Sequence, residues 1–290
     1  LIEDARFENM LADGTNVRGT YVVVDQIIDD HTVRTRLGHF QQLGFEFAGA
    51  GDEVWFVHQP NPSRGRVNAV ASVETINDRF SVLKFVEKLP AALQVGDILE
   101  NKTWNPDFTM RGCVVRDNRA RNIVLKTPGK IVIEDNDFSS HMSSIFFRGE
   151  TFHWYESGAV EDVLIRNNRF DYCAYSGMEH AVLRITPGLG RAFDATIPFD
   201  RNIRFVDNEI KTFDPRIVWA DRVEGLVIKN NVITQSHHDE LLHPKAAMFE
   251  LTQCRDVEIT GNTFEGSFAR KIQVDEATRP TLTVEGNSGI

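Results

Sequence analysis

The stretch KIVIEDNDF, residues 130–138, returns in altered spelling as DVLIRNNRF at 162–170 and DVEITGNTF at 256–264. The shared template is apolar, any, apolar, any, any, Asn, any, apolar. It fits Ile131, Ile133, Asn136 and Phe138; Val163, Ile165, Asn168 and Phe170; and Ile203, Phe205, Asn208 and Ile210. It fits again at Leu226, Ile228, Asn231 and Ile233, at Val257, Ile259, Asn262 and Phe264, and in part at Leu282, Val284 and Asn287. Phe108, Met110, Cys113 and Val115 keep the form with Cys in the Asn position. Successive positions of that residue differ by 23, 32, 40, 23, 31 and 25. A floor near 23 with longer excursions describes a short structural unit carrying loops of variable length.

Each unit holds a second apolar run: NIVLK at 122, SIFFR at 144, AVLRI at 181, RIVWA at 216, AMFEL at 247 and KIQV at 271. Period-two alternation rich in Val, Ile and Phe predicts strands, at least two per unit. Asn tolerates the left-handed conformation, so it is expected where the chain turns between them. Stacked Asn side chains can also bond to one another along a ladder. The reading is all-β, a right-handed parallel β-helix in which each coil buries its inward residues against the coils on either side. The alternative is a β-sandwich whose Asn turns coincide.

The first residues, LIEDARFENM, follow the template with Ile2, Ala5 and Phe7, so residues 1–20 are expected to belong to a coil. Residues 21–103 lack the Asn phrase and carry β-rich runs such as YVVVDQI, TVRTRLG, DEVWFV and SVLKFV between Gly, Pro and Asn/Asp turns. They are expected to form an inserted small antiparallel β-barrel-like domain, with the parallel β-helix resuming over 104–290. An apolar coil opening at Leu1 would be a sticky end that solenoids normally cap, so the chain is read as the C-terminal part of a longer protein.

The chain has 290 residues, 41% of them hydrophobic, and a formal net charge of −10, a balance that repels phosphate backbones and anionic lipid. Nucleic acid is not an expected partner. No run approaches 18 apolar residues, so no membrane span is expected. Cys113, Cys173 and Cys254 lie far apart with no CxxC spacing and read as buried apolar fillers rather than as a zinc site or a disulfide framework. No metal site and no organic cofactor are implied, and a homo-oligomer is compatible with the sequence.

FENMLADGTNVRGTY at 7–21, the insert ending in GDEVWFV, NPDFTMRGCVVRDNRARNIVLKTPGKIVIEDNDFSS from 105 and HWYESGAVEDVLIRNNRF from 153 carry a resemblance. Together they are similar to glycoside hydrolase family 110, exo-acting α-1,3-galactosidases built on a parallel β-helix with an inserted β-barrel. The WYESG turn and the TPGK link are its more specific parts. The resemblance implies hydrolysis of a terminal α-linked galactose with inversion, on a galactose-containing oligo- or polysaccharide. A secreted or periplasmic location follows from that substrate class alone. Similar enzymes carry an Asp-Asp pair where this chain has Ala12-Asp13, and His where it has Arg18. A further acidic residue would come from a coil preceding Leu1.

Asp13, in the turn ADGTN, is the first candidate for a catalytic carboxylate, set against a plain Asp-Gly turn. Glu156 in HWYESG is the second, flanked by Trp154 and Tyr155, whose faces could stack on a sugar; the alternative is an aromatic loop packed over the helix flank, with its Glu solvated or paired to Arg. Asn16, Arg18, Arg148 and Trp154 are candidate substrate contacts, although an Arg beside acidic residues is as often a plain ion pair. SHHDELLH gathers His237, His238, Asp239 and His243, but consecutive His residues on an extended chain point to opposite sides, which favours a solvated loop over a metal site. TPGLGRAFDATIPFDRN at 186–202 is a long excursion expected to border a groove or a partner surface. Two other functions stay open: a polysaccharide lyase or epimerase on the same fold, and a non-catalytic glycan-binding β-helix.

Overall fold

Three strands per coil build the β-helix in the computed structural model, which describes residues 1–290. The template phrase spans the first corner. In KIVIEDNDF the strand Lys130–Glu134 lies in one parallel sheet and Asp137–Ser140 in a second, and the second apolar run supplies Ile145–Phe147 to a third. The first sheet stacks eight strands and the second seven, from the rung at residues 2–8 to the C-terminal rungs. Residues 2–8 add one rung to the stack, with Ile2 opposite Met110 and Phe7 opposite Val115.

Vertical register follows the template. Ile131 lies between Phe108 and Val163, Ile133 between Met110 and Ile165, and Phe138 between Val115 and Phe170. These residues belong to one core of 37 buried side chains. The Phe138 and Phe170 rings stack at 5.0 Å with 16° between planes. All three cysteines are buried, free thiols, and Cys113 opens the column that Asn occupies elsewhere.

The left-handed residue at the corner is the one before the template Asn, not the Asn itself. Asp135 has φ 56°, Asn167 54°, Asp207 55° and Asn230 55°, and Gly takes the place at 261 and 286. Asp, Asn and Gly are the residues for which that conformation is least costly. The Asn that follows is buried and is released to form the ladder. Asn136 donates from its backbone N and its Nδ2 to Asn168 Oδ1 at 3.0 and 2.9 Å. The pattern repeats through Asn208, Asn231, Asn262 and Asn287. Each Nδ2 also caps a carbonyl of the preceding first-sheet strand, as Asn208 does Ile165 at 3.1 Å.

The strand Thr15–Ile27 belongs to both parts of the molecule. Its first residues pair in parallel with Ile123–Lys126; from Tyr21 onward it pairs antiparallel with Ile98–Asn101 and Thr32–Leu37. Six strands then close a barrel in the order 15–27, 32–37, 80–85, 67–75, 53–57, 98–101 and back to 15–27. Val24, Val33, Phe56 and Leu83 fill its interior. At the seam Arg64 reaches out of the barrel. It grips Glu100 at 2.8 and 2.9 Å, the Glu161 carboxylate at 2.6 Å and the Ala159 carbonyl at 3.0 Å.

Candidate active site

On the third sheet the strands Thr15–Arg18, Ile123–Lys126 and Ile145–Phe147 lie side by side, with inward Val17, Leu125 and Phe147 in one column. Alternation turns Asn16, Arg18, Val124 and Lys126 to the outer face, where Arg148 follows on the next rung. The loop after Phe147 rises to the barrel and returns as Glu156–Ser157, pairing antiparallel with Thr20 and Gly19. Gln42 of the barrel fixes that loop by donating to the carbonyls of Trp154 and Tyr155 at 2.9 and 3.1 Å.

This arrangement places Glu156 against Arg18, at 2.9 Å from Nε to Oε1, while its Oε2 accepts from Lys126 Nζ. Lys126 is almost wholly buried, and burial first, then Arg18 and Arg121, pull its pKa below the ordinary lysine value against the upward influence of Glu156. Asp13 lies at the other end of the strand, just before Gly14. It accepts from the Arg121 backbone N at 3.1 Å and from Arg121 Nη2 at 2.8 Å. Both oxygens of each carboxylate are therefore engaged by cations of the same face, and Arg121 is near enough to Lys126 to act on its charge.

The other candidates distribute unevenly. Asn16 and Arg18 stand between Asp13 and Glu156, Asn16 exposed. Arg148 donates to Glu150 Oε2 at 3.3 Å and to the Thr186 carbonyl at 3.0 Å. Trp154 packs on the barrel, its ring 4.5 Å from that of His39, while its backbone N donates to Glu150 Oε1 at 2.8 Å. Within SHHDELLH, His238 and Asp239 both meet Tyr172, whereas His243 is held elsewhere. His238 meets the Tyr172 ring edge-on at 4.9 Å, Asp239 accepts from the Tyr172 hydroxyl at 2.6 Å, and the His243 backbone N donates to Asp214 at 2.8 Å. The excursion at 186–202 touches both parts of the molecule: the Asp194 N donates to the Pro60 carbonyl and the Gly190 N to Thr151 Oγ1.

Lys126, Arg121 and Glu150 escaped the sequence reading. A signal existed for Lys126: aligning TNVR, IVLK and IFFR on their inward residues puts Arg18, Lys126 and Arg148 in one basic column. Glu150 gave none, because its site depends on how a loop folds back.

Two family models match the chain in turn: the GLAA-B beta-barrel domain II over residues 32–99 and the right handed beta helix region over 98–288. Among curated relatives, alpha-1,3-galactosidase A of Bacteroides fragilis is 34% identical over 97% of this chain and 47% of its own length. Alpha-1,3-galactosidase A of Shewanella woodyi is 36% identical over 83% of this chain and 39% of its own length, and alpha-1,3-galactosidase B of Bacteroides thetaiotaomicron 30% over 97% and 46%. The chain spans about half the length of these relatives or less. Stacked coils, a closed six-stranded barrel and matches that meet at the seam lead to one conclusion: the chain belongs to the right-handed β-helix family, with a GLAA-B barrel region inserted and with relatives named α-1,3-galactosidases.

Proposed function

We propose that this chain is the β-helix and barrel portion of an α-1,3-galactosidase-like glycoside hydrolase that removes a terminal α-linked galactose with inversion. The observation that carries the reading is identity of 30–36% over most of the chain to relatives bearing that name. Support from the site is chemical. Asp13 and Glu156 lie on one outer face, and Asn16 and Arg18 between them can donate to sugar hydroxyls. Substrate would displace cation contacts at both carboxylates. By the nature of the substrate alone, we place the enzyme outside the cytoplasm, secreted or periplasmic.

Inversion uses an acid and a base whose carboxyl groups stand roughly 6.5–9.5 Å apart, with a water between the base and the sugar. Asp13 and Arg18 are five residues apart on extended chain, about 16 Å between Cα atoms at the usual rise. Asp13 and Glu156 must therefore lean toward each other across Asn16 to act as a pair. Ala12 is exposed beside Asp13, so a carboxylate there would disturb no core.

The test uses the full-length protein on α-1,3-galactobiose, with product anomers followed by NMR. β-Galactose should appear first. Asp13→Asn should lower kcat by at least about 100-fold, and Ala12→Asp should raise it. Initial release of α-galactose would remove inversion; an unsaturated product would point to a lyase; binding without turnover would leave a glycan-binding protein. The lyase reading needs a free base, and the amine of Lys126 is engaged by Glu156.

A further inference from the structure

Along the same outer face, farther from the barrel, the third sheet carries a column that neither Asp13 nor Glu156 uses. Successive rungs set Phe146, Arg184 and Trp219 in register. The Arg184 guanidinium carbon lies 5.3 Å from the Phe146 ring centre and 4.3 Å from that of Trp219. Arg216 adds a second guanidinium 4.9 Å from the Trp219 ring, and Arg121 approaches Phe146 at 5.7 Å. Guanidinium groups held on aromatic faces are pre-oriented while their in-plane N–H edges stay open to acceptors.

Those acceptors are scarce. Arg184 meets Thr186 Oγ1 at 3.0 Å, the Glu179 carbonyl at 3.1 Å and His180 Nδ1 at 3.4 Å, all neutral groups, and it forms no ion pair. The neighbouring cations differ: Arg121 has Asp13, Lys126 has Glu156 and Arg148 has Glu150. Arg216 has only Glu179, at 3.4 Å, and its Nε and Nη1 are buried without a partner. Burial, followed by Arg148 and Arg216, brings the Arg184 pKa down to about 10. Positive charge is crowded here and undercompensated, on a chain whose net charge is −10. Such a local surplus attracts an anion.

We infer that the Arg184–Arg216 column is a subsite for a saccharide carrying an anionic substituent, either a sulfate ester or a carboxylate. The saccharide half of this statement rests on the galactosidase reading; the anion half rests on the arginines. Both anions suit a guanidinium edge through paired N–H···O bonds.

Isothermal titration of the full-length protein tests it, with neutral α-1,3-galactobiose, the same disaccharide bearing one sulfate ester, and a galactose disaccharide bearing a uronic acid. At low salt at least one anionic ligand should bind about tenfold more tightly than the neutral one, the scale of one charge-assisted hydrogen bond. Roughly 0.5 M NaCl should shrink that advantage. Arg184→Gln should bring the anionic ligand to the neutral affinity and leave the neutral affinity in place. Which anion prevails identifies the source. Equal affinity of neutral and anionic ligands, or an advantage that survives Arg184→Gln or high salt, overturns the inference. Should Arg184→Gln fail to fold, the wild-type salt series decides. Anionic preference without hydrolysis would sink the galactosidase reading alone, and hydrolysis without anionic preference would sink this inference alone.

Discussion

The β-helix and the barrel solve one problem, burying both faces of short strands, in opposite ways. In the β-helix the strands of the three sheets pair in parallel with those of neighbouring coils, and an Asn ladder from Asn136 to Asn287 links the first corners. In the barrel six antiparallel strands close on themselves and no ladder is needed, since closure removes the free edges. The difference teaches where a site can form. A stack presents outward residues of separate coils in columns one rung apart, whereas a barrel offers a fixed wall against which a loop such as 151–155 can be set. Asp13 belongs to the stack; Glu156 is placed by stack and wall together.

The sharpest way to break the comparison is at the seam, where the two designs share the Thr15–Ile27 strand and Arg64. Arg64→Met leaves the wholly buried Glu100 without its partner, and removing one member of a buried pair costs about 3–5 kcal/mol. Denaturant unfolding should show that loss and separate a barrel transition from a helix transition; a single unshifted transition would contradict it.

Asp200, buried close to the seam, comes next. Burial raises its pKa to about 7, opposed by the Val160 backbone N–H and by Arg64. Because the folded value lies above the unfolded one, the stabilising contribution is complete below about pH 4 and is lost as pH rises toward 7. Asp200→Asn should flatten stability across that window, gaining about 2–4 kcal/mol at pH 8 and little at pH 4. Thermal melts over pH 4–8 check it, and an unchanged slope would oppose it.

The ladder itself gives a smaller, graded effect. Asn208 is buried with an Asn on each side, so Asn208→Ala strands polar groups both above and below and should cost about 2–3 kcal/mol. Asn287 joins only Asn262 and caps the Ile259 carbonyl, so Asn287→Ala should cost about 1 kcal/mol. Equal losses in chemical unfolding would mean that the ladder is not the device that distinguishes stack from barrel.

Residues 130–138 were enough to read a stacked fold, because a corner used repeatedly demands the same chemistry each time. The inward Ile131, Ile133 and Phe138 and the burial of the cysteines were legible on that ground. The corner was read one residue out of place: both Asp135 and Asn136 suit turns, and only the backbone shows that Asp135 takes the left-handed conformation and frees Asn136 for the ladder. The third strand of each coil was hidden because second-sheet strands such as Val114–Arg116 and Thr263–Glu265 are too short to display a period.

What the sequence determined by itself was the set of columns, since period and spacing assign each residue to the inside or outside of a rung. What only the tertiary structure decided was who meets whom across long loops. Lys126 under Glu156, Glu150 beneath the Trp154 backbone and Arg184 between two aromatic rings join residues whose contacts depend on loop paths and on neighbouring coils. Loop length sets how far a chain can reach, but where it lands is fixed by packing against the barrel, and packing leaves no periodic mark in the sequence.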